Sequence, residues 1–266
     1  MPRLRKDAMT LVAQLCVVAG AVVFACAVVL HFMKIAENRR LDGVLQGLQI
    51  EGKSRKDAIL AVNTWVYFNQ GFAKNPENFL SPRLGPTPTD VLRHGGDCAD
   101  KSRLTMALLD RARIPSTLAM LYGTADGPPT HVVVEASYEH GRMAVDPVFH
   151  IDFPADPEGE RYHGLASLRA DPSILEQRVA ELSRIRGATD DKVSYYKLKT
   201  EHYSHARTMN LDKNGLTRFV ARAIEKSGQD PTLVPRPVIL EDPIRLAAAG
   251  AYLVGLVLIA LGWWLS

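Results

Sequence analysis

The stretch HGGDCADKSRLTMALLDRARIP, residues 94–115, decides the reading of this chain. Two glycines and an aspartate precede a cysteine, and helix-forming residues follow it. Pro115 biases Ile114 away from helix, so the spacing predicts a helix over 98–113 with Asp97 as its N-cap. The other two cysteines, Cys16 and Cys26, lie in an apolar run near the N-terminus. Cys98 is therefore the one thiol outside that run. A thiol is a useful nucleophile only as thiolate, and the unpaired N–H groups and dipole of a helix N-terminus favour that charge. Gly95 and Gly96 would let the backbone approach a substrate closely. The competing role is that of a small buried hydrophobe, the usual lot of a lone helix cysteine.

Downstream, STLAMLYG (116–123), HVVVEASY (131–138) and RMAVDPVF (142–149) read as strands, with TADGPPT and EHG as connections. Placing His131 opposite Asp146 pairs Val133 with Ala144 and Glu135 with Arg142, and leaves a four-residue loop from Ser137 to His140. One face then holds Val132, Val134, Ala136, Met143 and Val145, all apolar, while the other brings His131 beside Asp146. Singly, His131 reads as a structural histidine and Asp146 as a strand-end cap. Together, Cys98, His131 and Asp146 meet the requirements of thiol acyl transfer: nucleophile, base and orienter.

Upstream, SRKDAILAVNTWVYFNQ (54–70) reads as a helix begun by Ser54 and Asp57, with Ile59, Val62 and Val66 on one face. Residues 71–97 read as loop with one helical turn at TDVLRH. An oxyanion hole needs a second donor besides the Cys98 N–H, and Asn69 and Gln70 are donors on this helix. Beyond residue 150 the pattern weakens. An acidic loop leads to an amphipathic helix near 173–186, ended by Gly187, and a basic helix near 214–227. The segment PTLVPRPVILEDP (231–243) carries four prolines and reads as a stiff extended stalk. Tyr195, Tyr196, His202, Tyr203 and His205 cluster in the tail and read as packing residues. His94 and Cys98 lack the further ligands of a zinc site, so no metal or cofactor is expected.

Two segments are apolar enough to cross a bilayer. Leu11 to Leu30 has Gln14 as its one strongly polar residue and continues apolar to Met33, and Leu246 to Leu265 carries no charge and closes on Trp263 and Trp264. The first also has small residues around Cys26 at a signal-peptide cleavage position, but its length favours an uncleaved anchor. Phe24 disfavours lipid modification of Cys26. Arg3, Arg5 and Lys6 before the first run outweigh Asp7, which favours an inside N-terminus and places residues 34–245 outside. Net charge is +3 with charges mixed along the chain, so no basic stripe points to nucleic acid.

The blocks GGDCADKSRLTMALLDRARIPSTLAMLY, THVVVEASY and RMAVDPVF resemble, in order and spacing, the core of the transglutaminase-like superfamily. The likeness covers about residues 54–150. It implies an α+β, papain-like fold with a nucleophile helix packed on an antiparallel sheet and the triad Cys98, His131 and Asp146. The family often has H-A-W-V-E where this chain has HVVVE, so Val133 replaces an aromatic wall, and hydrolysis would then compete with transfer. DCADKS is also similar to the related bacterial cysteine proteinases. Animal transglutaminases use a Trp well upstream of the Cys as oxyanion donor, so the resemblance implies that role for Trp65, with core packing as the competing role.

The organisation expected is a basic segment (1–10), a first span (11–33), a catalytic core (34–150), a helical extension (151–230), a Pro-rich stalk (231–245) and a second span (246–265). The activity expected is a membrane-anchored thiol enzyme that forms a Cys98 thioester from an amide or ester carbonyl and passes the acyl group to water or an amine. Its partner would be a protein or peptide substrate at the membrane surface, envelope components included. A cysteine peptidase or amidase of the same fold is one alternative. A non-catalytic module of an envelope or glycan-export assembly is the other.

Overall fold

The computed structural model describes residues 2–124, 127–187, 200–209, 211 and 215–266. It is a mixed helix and antiparallel-sheet structure with two helices long and apolar enough to span a membrane. The first, α1 (Pro2–Gly47), is a single unbroken helix of 46 residues. At 1.5 Å per residue it is about 69 Å long, so its second half rises well beyond any bilayer. The other is α8 (Pro243–Leu265). The two pack along their length through small residues. A Cβ at Gly20 would come within 2.8 Å of the Gly255 carbonyl oxygen, and one at Gly262 within 2.7 Å of the Ala13 carbonyl oxygen. Apolar helices without a hydrophobic drive between them associate by this kind of close backbone approach.

Between these helices lie α2 (Arg55–Phe68), α3 (Pro88–His94) and α4 (Cys98–Arg111), then β1 (Ser116–Tyr122), β2 (Pro129–Tyr138), β3 (Gly141–Asp146) and β4 (Ile151–Asp152). There follow α5 (Leu165–Ala170), α6 (Ser173–Arg186) and α7 (Gly215–Lys226). The strands form one antiparallel sheet in sequence order. Leu118, Val134, Ala136, Met143 and Val145 bury one face against α2, α4 and the upper part of α1, which contributes Leu41 and Leu45. The other face is also covered. Ala119, Leu121, Val133 and Ala144 pack against Leu165 and Leu168 of α5 and Leu175, Val179 and Leu182 of α6. The helical extension therefore forms the second layer of the same body.

Three local expectations change. The hairpin register is two residues tighter than the sequence pattern suggested. Glu135 pairs with Ala144 and Tyr138 with Gly141, which leaves a two-residue turn. Gly141 has φ +136°, a conformation that favours glycine and permits the tight reversal. A shift of two preserves the faces, so the Arg142–Glu135 ion pair survives diagonally at 3.0 Å. Second, α4 ends two residues early, because Arg113 turns left-handed at φ 59° and the Ile114 N–H bonds back to the Leu109 carbonyl. Third, the proline-rich segment is no free stalk. The Arg236 N–H donates to Thr117, Thr208 donates to the Thr232 and Val234 carbonyls, and buried Glu241 takes Arg103 and Arg236. Prolines remove donors, but side chains of the domain supply the missing bonds.

Charges also join the domain to the two long helices. Lys34, at the top of the apolar part of α1, reaches Glu37 and Asp242, each at 2.5 Å. Arg245 reaches Asp110 at 2.8 Å, and Arg111 forks onto Asp42. Of the tail residues, Tyr203 is fully buried with its ring 5.5 Å from that of Phe153. Tyr195 and Tyr196 lie outside the described residues.

Candidate active site

His131 lies in β2 and Asp146 at the end of β3. The step beyond the Val134–Val145 pair brings Val133 alongside Asp146, so His131 is the diagonal neighbour of the carboxylate, on the same face. His131 Nε2 is 2.6 Å from Asp146 Oδ2. The second carboxylate oxygen accepts the backbone N–H groups of Val148 at 2.8 Å and Phe149 at 3.1 Å. Both oxygens are thus committed and the group is wholly buried. Cys98, at the start of α4, packs against the same buried layer and lies close enough to the imidazole to favour its charged form.

Electrostatics follow from this packing. Burial opposes a charge on His131, but the Asp146 carboxylate, its hydrogen bond and the Cys98 contact outweigh it and raise the imidazole to about 10. His131 therefore holds its proton through the neutral range. The Phe149 ring lies 5.2 Å from the imidazole. Val133, where the sequence pattern suggested a wall open to water, is fully buried in the layer under α5 and α6. The aromatic contact absent at position 133 is supplied by the residue three beyond Asp146, in a loop where sequence spacing could not place it.

The thiol is positioned by its helix start. Asp97 accepts the N–H groups of Ala99 at 2.9 Å and Asp100 at 3.1 Å, and Asp100 returns a bond to the Asp97 N–H. This reciprocal cap fixes the first turn of α4. Burial and the neighbouring Asp97 charge push Asp100 up to about 6. The two glycines have a different role from the one the sequence suggested. Gly95 has φ +74°, and a Cβ there would come within 2.5 Å of the Gly71 carbonyl oxygen. A Cβ at Gly96 would clash with the Asp100 side chain. Both are required by close packing of the chain on itself.

Lys101, which the sequence reading passed over, is the further residue of this region. It is 3% exposed, and its ammonium donates to the carbonyls of Val66, Tyr67, Asn69 and Gln70 at 2.9–3.3 Å. A cation at the C-terminus of α2 satisfies carbonyls with no partner in the helix. It also ties the 69–72 segment to the turn that begins with Cys98. Its legible signal was a lysine three residues after the cysteine, on the same helix face.

The three oxyanion candidates separate. Trp65 is partly buried against the apolar layer between α2 and α4. The Asn69 side chain donates to the Leu92 carbonyl at 3.4 Å. Gln70 is exposed, has φ 55°, and lies beside Gly95, while Phe72 bridges to Gly96. Of the three, Gln70 has its side chain uncommitted and next to the turn preceding Cys98.

No protein-family model matches this chain, and no curated protein does. Among solved structures it is similar to a protein from Cytophaga hutchinsonii named provisionally as a cysteine protease. That match has 20% sequence identity and a TM-score of 0.34, and covers 42% of this chain and 37% of the other.

Proposed function

We propose that this chain is a membrane-anchored cysteine hydrolase or acyltransferase with a papain-like, transglutaminase-like core. The observation that carries the reading is the buried His131–Asp146 pair beside Cys98, which stands at a capped helix start. The reacting form is a Cys98 thiolate beside a His131 imidazolium. The sulfur attacks the carbonyl carbon of an amide or ester, and the C–S bond forms as the carbonyl π pair moves to oxygen. The Cys98 N–H and the Gln70 amide face that oxyanion. Collapse breaks the bond to the leaving nitrogen or oxygen, which takes the proton from His131. A thioester remains. Water or an amine then gives a proton to the neutral imidazole, attacks the thioester and expels the thiolate, and the starting charges return.

Asp146 holds the imidazole with Nδ1 toward the sulfur. The Phe149 ring and the buried layer around Val133 close one side of the site, which supports retention of an acyl group long enough for an amine to compete with water. The substrate is a protein or peptide carbonyl at the membrane surface, and the domain lies outside the cytoplasm.

The decisive experiment treats the full-length protein in detergent with an activated acyl ester and weighs it intact. An adduct on Cys98 that decays in water, and faster with hydroxylamine, is the expected result. No adduct on wild type, or an equal one on Cys98→Ala, sinks the enzymatic reading. A reporter fused near Gly159 should give an outside signal, and a cytoplasmic signal reverses the orientation.

A further inference from the structure

Where the two apolar helices meet the domain there is a cavity of about 280 Å³ that the chemistry above does not use. One wall is a single face of α1: Met33, Ala36, Glu37 and Arg40, spaced three and four apart. The facing wall is α3, with Thr89 and Arg93 one turn apart. Phe79 and Ile244 close it with apolar surface. Met33 and Ile244 are the domain-side ends of the two apolar runs, so in a bilayer this cavity opens at the level of the headgroups.

Its polar groups are unevenly committed. Glu37 shares Lys34 with Asp242 and accepts the Thr89 N–H, and Asp90 accepts the Thr87 N–H and hydroxyl in the α3 cap. Arg40 and Arg93 are exposed and have no ion-pair partner among the described residues. The Thr89 hydroxyl is different again. The residue is 7% exposed, yet its oxygen has no hydrogen-bond partner. A buried hydroxyl left unpaired costs about 1–3 kcal/mol unless something bonds to it.

We infer that this cavity binds the phosphate of an anionic phospholipid, held by Arg40, Arg93 and the Thr89 hydroxyl, with the acyl chains lying along Met33 and Ile244. Guanidinium forks match phosphate oxygens, and the two carboxylates of the lining, Glu37 and Asp90, are already bonded to the protein, so a pocket with two uncommitted arginines beside apolar helices at headgroup depth is suited to a lipid. The inference rests on the reading that α1 and α8 cross a bilayer, and it is independent of turnover at Cys98. It bears on that site through α3, which runs from the cavity directly into Gly95, Gly96 and Asp97. A lipid on Thr89 and Arg93 would brace the helix that leads into the Cys98 turn.

The test uses the full-length protein, delipidated in detergent, offered equal phosphatidylglycerol and phosphatidylcholine and read by native mass spectrometry. Wild type should retain phosphatidylglycerol at about tenfold preference. The Arg40→Gln/Arg93→Gln double variant should lose that preference. Thr89→Val should reduce it severalfold with no fall in melting temperature, since the hydroxyl has no hydrogen-bond partner among the described residues. Arg39→Gln and Arg83→Gln, exposed cations outside the cavity, should leave it intact. Equal retention of the two lipids by wild type overturns the inference. So does an equal loss in the Arg39 and Arg83 variants, which would mean general surface attraction. Displacement of the lipid by glycerol 3-phosphate at the same concentration would mean a site for a free phosphate and would overturn the lipid assignment. The Cys98 adduct is measured separately, so either reading can fail alone.

Discussion

Two buried basic side chains flank the Cys98 turn, and they are placed differently. Lys101 gives its ammonium protons to backbone carbonyls, four of which surround it. It is a fixed strut between α2 and α4. His131 holds one ring nitrogen on Asp146 and lies beside the Cys98 thiol. Burial is common to both, and what distinguishes them is the neighbour: backbone carbonyls around the lysine, a carboxylate and a thiol around the histidine.

That contrast can be broken at its strongest point first. His131→Ala and Cys98→Ala should each lower turnover by about 10⁴-fold or more; Cys98→Ala should leave the melting temperature within a few degrees, whereas His131→Ala should also lower it, because Asp146 stays buried without its partner. Asp146→Ala should leave measurable activity. Comparable activity in His131→Ala and wild type would place the histidine with Lys101, as a structural cation. Lys101→Met should behave in the opposite way. Its carbonyls lose their donor, and unfolding in denaturant should show a loss of about 3 kcal/mol, with activity reduced only as far as the Cys98 turn shifts. A stable Lys101→Met protein with no activity would mean that the lysine takes part in chemistry.

The pH dependence sharpens the same comparison. A histidine raised to about 10 on folding contributes stability that is fully present below its unfolded value near 6.5 and is lost as pH rises toward 10. Wild-type melting temperature should therefore fall relative to that of His131→Ala over this window. Parallel curves from pH 6 to 10 would mean that the imidazole is not held charged. The smallest effect concerns the turn itself. Gly96→Ala should cost about 1–3 kcal/mol through its clash with Asp100, and should slow alkylation of Cys98 by displacing the first turn of α4. An unchanged alkylation rate would separate the thiol's reactivity from the cap.

Much of this was legible one residue at a time. The helix at Cys98, its aspartate cap, the three strands and the two apolar helices are local signals, written in spacing, proline and glycine. The pairing of His131 with Asp146 was legible too, because a strand's two-residue period assigns each side chain a face, and a register error of two residues preserves it. The register itself was not, since an apolar face looks alike at either alignment and the turn at Gly141 chose between them.

What the sequence by itself determined is which residue types stand at helix starts and on strand faces, because those depend on neighbours a few positions away. Only the tertiary structure decided that Lys101 reaches back 31–35 residues to the end of α2, that the Phe149 ring packs at a tilt against His131, and that the helices after residue 150 bury the second face of the sheet. It also decided that the four-proline segment lies against the domain and that Thr89, Arg40 and Arg93 face one cavity. Each of these joins parts of the chain whose separation leaves no periodicity to read, and each is set by which surfaces had to be covered once the sheet had formed.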